Sequence, residues 1–320
     1  MNTTYLKQYI KKVKKLVLII ASLFSLFYIT LNHVNAFPVY AQQGYENPRE
    51  ATGRIVCANC HLAQKSVEIE VPKAILPNSI FEAKVSIPYN QNNKQILGNG
   101  VAGSLNTGAV LILPKGFKLA PKNLLDIKLR EKTKNIFIQP YSTSTDNILV
   151  VGPLTGKNNQ EIIFPILSPD PKTDKNIHFL KYPIYVGGNR GRGQIYPTGD
   201  KSNNNPITAT YNGTISKITS NEDQSFLINI EKNNGENFSE SIPKGLQLIV
   251  KKGDNIQANQ LLTNDPNIGG FGQNETEIVL QNPTRIKNMI IFFIGITVAQ
   301  IFFVLKKKQW EKVQAAEMNF

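Results

Sequence analysis

The only two cysteines in 320 residues stand three apart, with a histidine directly behind the second: Cys57, Cys60 and His61, in the stretch GRIVCANCHLAQ (residues 53–64). Cys-x-x-Cys-His is the pattern of c-type haem attachment. Each thiol can add across one vinyl group of the porphyrin, and the adjacent imidazole can then reach the iron as one axial ligand. Three other uses of the pair fit the residues less well. A disulfide across a two-residue loop is strained and leaves His61 without a role. A thioredoxin-like redox pair belongs in a βαβ setting, which the sequence does not offer. A Cys2His2 zinc site would need a second histidine from elsewhere, and the usual closely spaced His pair is absent.

Iron in such a site takes a second axial ligand, often Met or His. The methionines are Met1, Met289 and Met318, all near the ends of the chain. Outside the leader the one other histidine is His178, in the apolar run HFLKYPIYVGG (178–188), where a satisfied core histidine is the plain reading. A further candidate arises if the chain is cut after Ala36. The new α-amine of Phe37 would have an ordinary pKa of about 7.7–8, so its lone pair is available at modest cost. Pro38 would stiffen its approach.

The ends of the chain say where this chemistry takes place. Residues 1–36 carry Lys7, Lys11, Lys12, Lys14 and Lys15, then an apolar run from Leu16, then Val34-Asn35-Ala36. Basic, apolar and small in that order reads as a cleaved signal peptide, with an uncleaved membrane anchor as the alternative. Residues 288–305 hold no charge; as a helix they span about 27 Å, near the hydrocarbon thickness of a bilayer. Arg285 and Lys287 precede this run and Lys306, Lys307 and Lys308 follow it. Three lysines in a row favour retention on the non-exported side. The formal charge of +13 falls to +8 without the leader, with 31 basic against 23 acidic side chains. No Lys/Arg-rich run or nucleic-acid motif stands in the central region, so no nucleic-acid partner is expected.

Between these ends the pattern is mainly β. Short apolar or alternating runs occupy 66–72, 108–114, 135–141, 147–154, 161–167 and 178–188, separated by Asn-, Gly- and Pro-rich turns. Such strands without intervening helical periods suggest a sandwich or barrel. One helix is expected, with Asn47 as N-cap, Pro48 in the first turn and Glu50 at the capping-box position, running to about His61. After Gly199 the composition becomes polar, and runs at 209–218, 226–231 and 246–262 suggest a second β unit before the chain returns through 264–280. The expected organisation is a signal peptide (1–36), a large haem-binding β domain (37–203 with 264–285), a small inserted β domain (204–263), a membrane helix (286–305) and a tail (306–320).

The mature start FPVYAQQGYENPREATGRIVCANCHLA resembles the cytochrome f family, the c-type cytochromes of photosynthetic cytochrome b6-f complexes. The resemblance continues through GAVLILPKGFKLAP, YPIYVGGNRGRGQIYPTG, NIGGFGQ and the C-terminal span. It implies one covalent haem c on Cys57 and Cys60, with iron held by His61 and by the α-amine of Phe37. Many members begin with Tyr, and because the ligand is a backbone nitrogen the change to Phe should not disturb it. It implies a large fibronectin-III-like β-sandwich, an inserted small lipoyl- or biotinyl-like β domain lacking the carrier motif, and one C-terminal transmembrane helix. A buried water chain would be lined by Gln95, Asn189, Gln194, Asn204 and Asn267, and Tyr40 and Pro153 would pack near the haem. The implied role is electron carriage, not enzymatic turnover, in a thylakoid membrane with the large domain in the lumen. The implied partners are cytochrome b6, subunit IV and the Rieske iron–sulfur protein of the same complex, and plastocyanin or a soluble c-type cytochrome as acceptor. Lys94 matches a docking position. The lysine pair expected nearby is replaced by Val101 and Ala102, so strong electrostatic steering is not expected of that loop.

Overall fold

The computed structural model describes residues 38–155, 159–232 and 234–318; the expected signal peptide (1–36) and Phe37 lie outside them. The protein is mainly β. A six-stranded sheet runs in the order Ala74–Ile75, Gly270–Leu280, Lys181–Arg190, Asn106–Ile112, Thr145–Thr155, Ile138–Ser142. A four-stranded sheet faces it, in the order Glu68–Glu70, Ile80–Ser86, Glu161–Leu167, Lys118–Leu119.

The strand Ile80–Ser86 shows why the sheets stack. Phe81, Ala83 and Val85 point inward and are buried. Glu82 and Lys84 point outward, where Lys84 pairs with Glu70 at 3.1 Å and Glu161 at 3.4 Å on the flanking strands. Period-two alternation of this kind is a strand with one wet face. The six-stranded sheet differs, because its central strand Asn106–Ile112 is buried on both faces. Ala109 and Leu111 join the core between the sheets, with Phe117, Phe164 and Ile184. Val110 joins a second cluster on the outer face, with Ile55, Tyr141, Ile148, Val150 and Phe271. That second cluster requires something to cover it, and Ala41 with the Cys57–Ala58 turn packs there.

After Arg190 the chain leaves the six-stranded sheet. It builds a separate sheet in the order Asn237–Ile242, Phe226–Glu231, Gly213–Ser220, Asn255–Ile256, around a core of Ile215, Ile228, Ile230 and Ile242. It then returns as Gly270–Leu280, which pairs with Lys181–Arg190 along its whole length, from Lys181 opposite Val279 to Arg190 opposite Gly270. The run 246–262 holds only the two-residue strand Asn255–Ile256 and isolated bridges at Leu248 and Leu261. The strand Ile80–Ser86 and the helix Ile127–Thr133, capped by Asp126, were not anticipated from the sequence.

The C-terminal helix Pro283–Glu317 is capped by the Asn282 side chain, which accepts from the amides of Thr284 and Arg285, and carries proline at its start. None of its residues is buried, and its length and composition suffice to cross a membrane. The helix expected over 47–61 does not form. Asn47 accepts from the amide of Arg49 at 3.0 Å in a tight turn instead of capping a helix. Gly53 adopts φ +87°, a left-handed conformation that closes a hairpin in which Arg49 and Ile55 bridge.

Candidate functional site: the Cys-x-x-Cys-His turn

The hairpin ends in a 3-10 helix, Val56–Asn59. Its backbone bonds continue through Cys60, whose amide donates to the Cys57 carbonyl at 3.3 Å, and His61, which donates to the same oxygen at 3.0 Å. Residues three apart eclipse in a 3-10 turn, so Cys57 and Cys60 share one side. Both are free thiols. Burial pushes the Cys57 thiol up to about 12 and raises that of Cys60, so both are protonated. Among the described residues no group of three or more His, Cys, Asp or Glu side chains converges as a metal site.

Long-range contacts hold the turn. Gln273 on the returning strand accepts from the Ile55 amide at 3.0 Å and donates to the Gly53 carbonyl at 3.1 Å. The Arg49 guanidinium lies 3.8 Å from the centre of the Tyr185 ring. Gly193 approaches so closely that a Cβ there would stand 3.1 Å from the Cys60 carbonyl. That carbonyl accepts from the Gln194 amide at 2.7 Å, and the Gln194 side-chain oxygen accepts from the Leu62 amide at 2.9 Å.

His61 is buried, and burial pushes its imidazole down to about 4, so it is neutral at physiological pH with a lone pair to offer. Its Nε2 lies 3.3 Å from the Asn189 amide nitrogen, and its Nδ1 is buried without a hydrogen-bond partner. His178 is exposed and precedes the strand Lys181–Arg190, where its backbone meets the Tyr182 hydroxyl. It is not a core residue. Eight strand residues, about 26 Å, separate that end of the sheet from Asn189.

The short helix Val39–Gly44 lies against the same outer cluster. Ala41 packs on it beside Cys57 and Ala58. The Gln42 side chain donates to the Tyr141 carbonyl at 2.7 Å. The Tyr141 hydroxyl, whose pKa burial raises to about 12, shares its proton between the carbonyls of Ala41 at 2.6 Å and Tyr45 at 2.7 Å. Tyr40 in this helix and Pro153 in the strand Thr145–Thr155 are both half-buried.

Of the five polar residues expected to line a water chain, three, Gln95, Gln194 and Asn204, meet at the backbone of one residue, Arg192. Its amide donates to Gln95 at 2.8 Å. Its carbonyl accepts from Asn204 at 3.0 Å and Gln194 at 3.3 Å. Asn204 also donates to Asn267 at 3.4 Å, while its own side-chain oxygen is buried and unpartnered. Asn189 stands apart from this hub, against His61. Arg192, Gln273 and Tyr141 were missed at the level of sequence. Only Arg192 had a signal there, the flanking glycines, of which Gly191 has φ +74°. Lys94 is exposed on a two-stranded hairpin, Lys94–Ile96 with Ala102–Ser104, whose buried side carries Gln95.

The N-terminal and C-terminal models of apocytochrome F match residues 37–191 and 203–320. Cytochrome f of Gracilaria tenuistipitata var. liui is 69% identical over 96% of this chain and 99% of its own. That of Porphyra purpurea is 64% identical over 94% of both, and that of Rhodomonas salina is 56% identical over the whole length of both. The chain belongs to the cytochrome f family. A haem group of the kind implied for this family fits the residues present. Two protonated thiols share one turn, a neutral buried imidazole follows with one nitrogen unpartnered, and an apolar wall of Ile55, Val110, Ile148, Val150 and Phe271 backs them.

Proposed function

We propose that this chain is the electron-carrying c-type cytochrome of a cytochrome b6-f complex, holding one haem c covalently through Cys57 and Cys60. The observation that carries this reading is the packing of the helix Val39–Gly44 and the Cys57–Ala58 turn on one apolar cluster, in a member of the cytochrome f family. Cys57 and Cys60 would hold the haem through thioethers, each thiol adding across a vinyl group with its proton going to the neighbouring carbon. His61, and the α-amine of Phe37 freed by cleavage after Ala36, would serve as ligands to the iron. The family match beginning at residue 37 supports that cleavage site.

The haem supplies a reversible one-electron change at iron. The chain's residues bind it, exclude water from one side and hold its ligands; no acid, base or nucleophile takes part. Gln95, Asn189, Gln194, Asn204 and Asn267 are assigned to a chain of internal waters leading from the site. The electron arrives from the Rieske iron–sulfur protein and leaves to plastocyanin or a soluble c-type cytochrome, with Lys94 at the docking edge. The large part of the chain lies in the thylakoid lumen, residues 286–305 cross the membrane beside cytochrome b6 and subunit IV, and residues 306–320 remain on the other side. A redox titration followed by absorption spectra tests this. One single-electron wave between two low-spin, six-coordinate forms is expected. A reduced form that binds carbon monoxide readily, with an open axial position, would point to a haem sensor instead.

A further inference from the structure

Arg190 is the largest fully buried side chain in the described residues, with 1% of its surface exposed. It ends the strand Lys181–Arg190, directly after Asn189. Alternation along a strand sends the two side chains to opposite faces. Asn189 meets His61 on the outer face. Arg190 shares the inner face with Gly188, whose Cβ position abuts Val67 and Ile87 of the sandwich core. The Arg190 Nη2 donates to the Ser66 carbonyl, while Nε and Nη1 are buried without partners. Among the described residues no carboxylate forms an ion pair with it. Burial lowers its pKa, yet a guanidinium keeps its proton in a protein. Tyr89 is the titratable group that acts on it electrostatically, and burial raises the pKa of that phenol, so it is neutral. Among the described residues the positive charge therefore meets no carboxylate, where a core would be more stable with an apolar residue of similar size.

We propose that Arg190 is a positioning residue for the redox level of the site: its buried positive charge, without a carboxylate partner among the described residues and one strand position from the amide that meets His61, raises the midpoint potential of the haem. The proposal rests on the ligation of iron by His61. Oxidation adds one positive charge to the centre, and a nearby cation opposes that change. Because the cation is buried, salt screens its effect much less than that of a surface lysine.

The test uses the full chain in its complex, at mildly acidic pH so that a buried lysine stays charged. Potentials of Arg190→Gln and Arg190→Lys are measured by spectroelectrochemical titration at low and high salt. Arg190→Gln is expected to keep the low-spin spectrum and titrate at a lower potential at both salt concentrations, while Arg190→Lys stays close to the parent. A parent-level potential in Arg190→Gln overturns the proposal. An equal fall in both variants also overturns it, since packing and not charge would be the cause. Should Arg190→Gln fail to accumulate with haem, Arg190→Met, uncharged and of similar length, takes its place with the same expected fall in potential; a parent-level potential there overturns the proposal. Failure of the ligation reading would show separately, as a parent spectrum that is not six-coordinate.

Discussion

The nitrogen assigned to the sixth position of the iron is an amide nitrogen until the bond between Ala36 and Phe37 is cut. An amide lone pair is delocalised into the peptide bond and is a poor ligand. The thiols of Cys57 and Cys60 carry no such condition, so attachment and ligation are separable events. Replacing Ala36 by a bulky residue to block processing is expected to give a protein with covalent haem and a high-spin or otherwise altered spectrum. His178→Ala is expected to leave the native spectrum unchanged, because His178 is exposed at the far end of the strand whose other end meets His61. Native absorption in the uncleaved protein, together with loss of it in His178→Ala, would reverse the two assignments.

At the level of elements, the helix Val39–Gly44 is too short to persist alone, since isolated helices under about 12 residues are marginal in water. Its position depends on Tyr141, whose hydroxyl meets the carbonyls of Ala41 and Tyr45. Tyr141→Phe removes that donor; the Ala41 carbonyl keeps the Tyr45 amide, while the part-buried Tyr45 carbonyl loses its hydroxyl partner, a cost of about 1 kcal/mol. For a chain of this size such a loss lowers the thermal midpoint by about 2–4 °C. A high-spin fraction should appear with it, because the same helix would present the Phe37 amine. Melting curves and spectra of the variant check both; a normal midpoint and spectrum would mean the helix is held chiefly by Ala41 and Gln42. The helix expected over 47–61 failed for a local reason. Its capping residues were equally good turn formers, and Gly53 broke the run.

For the whole molecule, the sandwich core, the outer cluster and the core of the small sheet are built from residues between Ile55 and Leu280, and the C-terminal helix buries nothing. A chain ended near Arg285 is therefore expected to be soluble and to keep the haem spectrum of the full protein, as gel filtration and absorption would show. Loss of haem from the shortened protein would give the span a part in building the site.

Some of this was settled by sequence alone, because the physics is local or compositional. Cys-x-x-Cys-His brings both thiols and the imidazole within one turn whatever surrounds it, and an uncharged 18-residue run spans a bilayer whatever precedes it. Alternation and dense apolar runs marked most strands of the sandwich for the same reason. The tertiary structure alone decided which residues converge. Gln194 reaches Leu62 across 132 positions, Gln273 reaches Ile55 across 218, and Gln95 meets Asn204 and Gln194 only through the backbone of Arg192. It also separated two neighbours, turning Asn189 towards His61 and Arg190 into the core. Periodicity along the chain carries the alternation of faces, but which face is covered, and by what, is set by sheet pairing between distant segments.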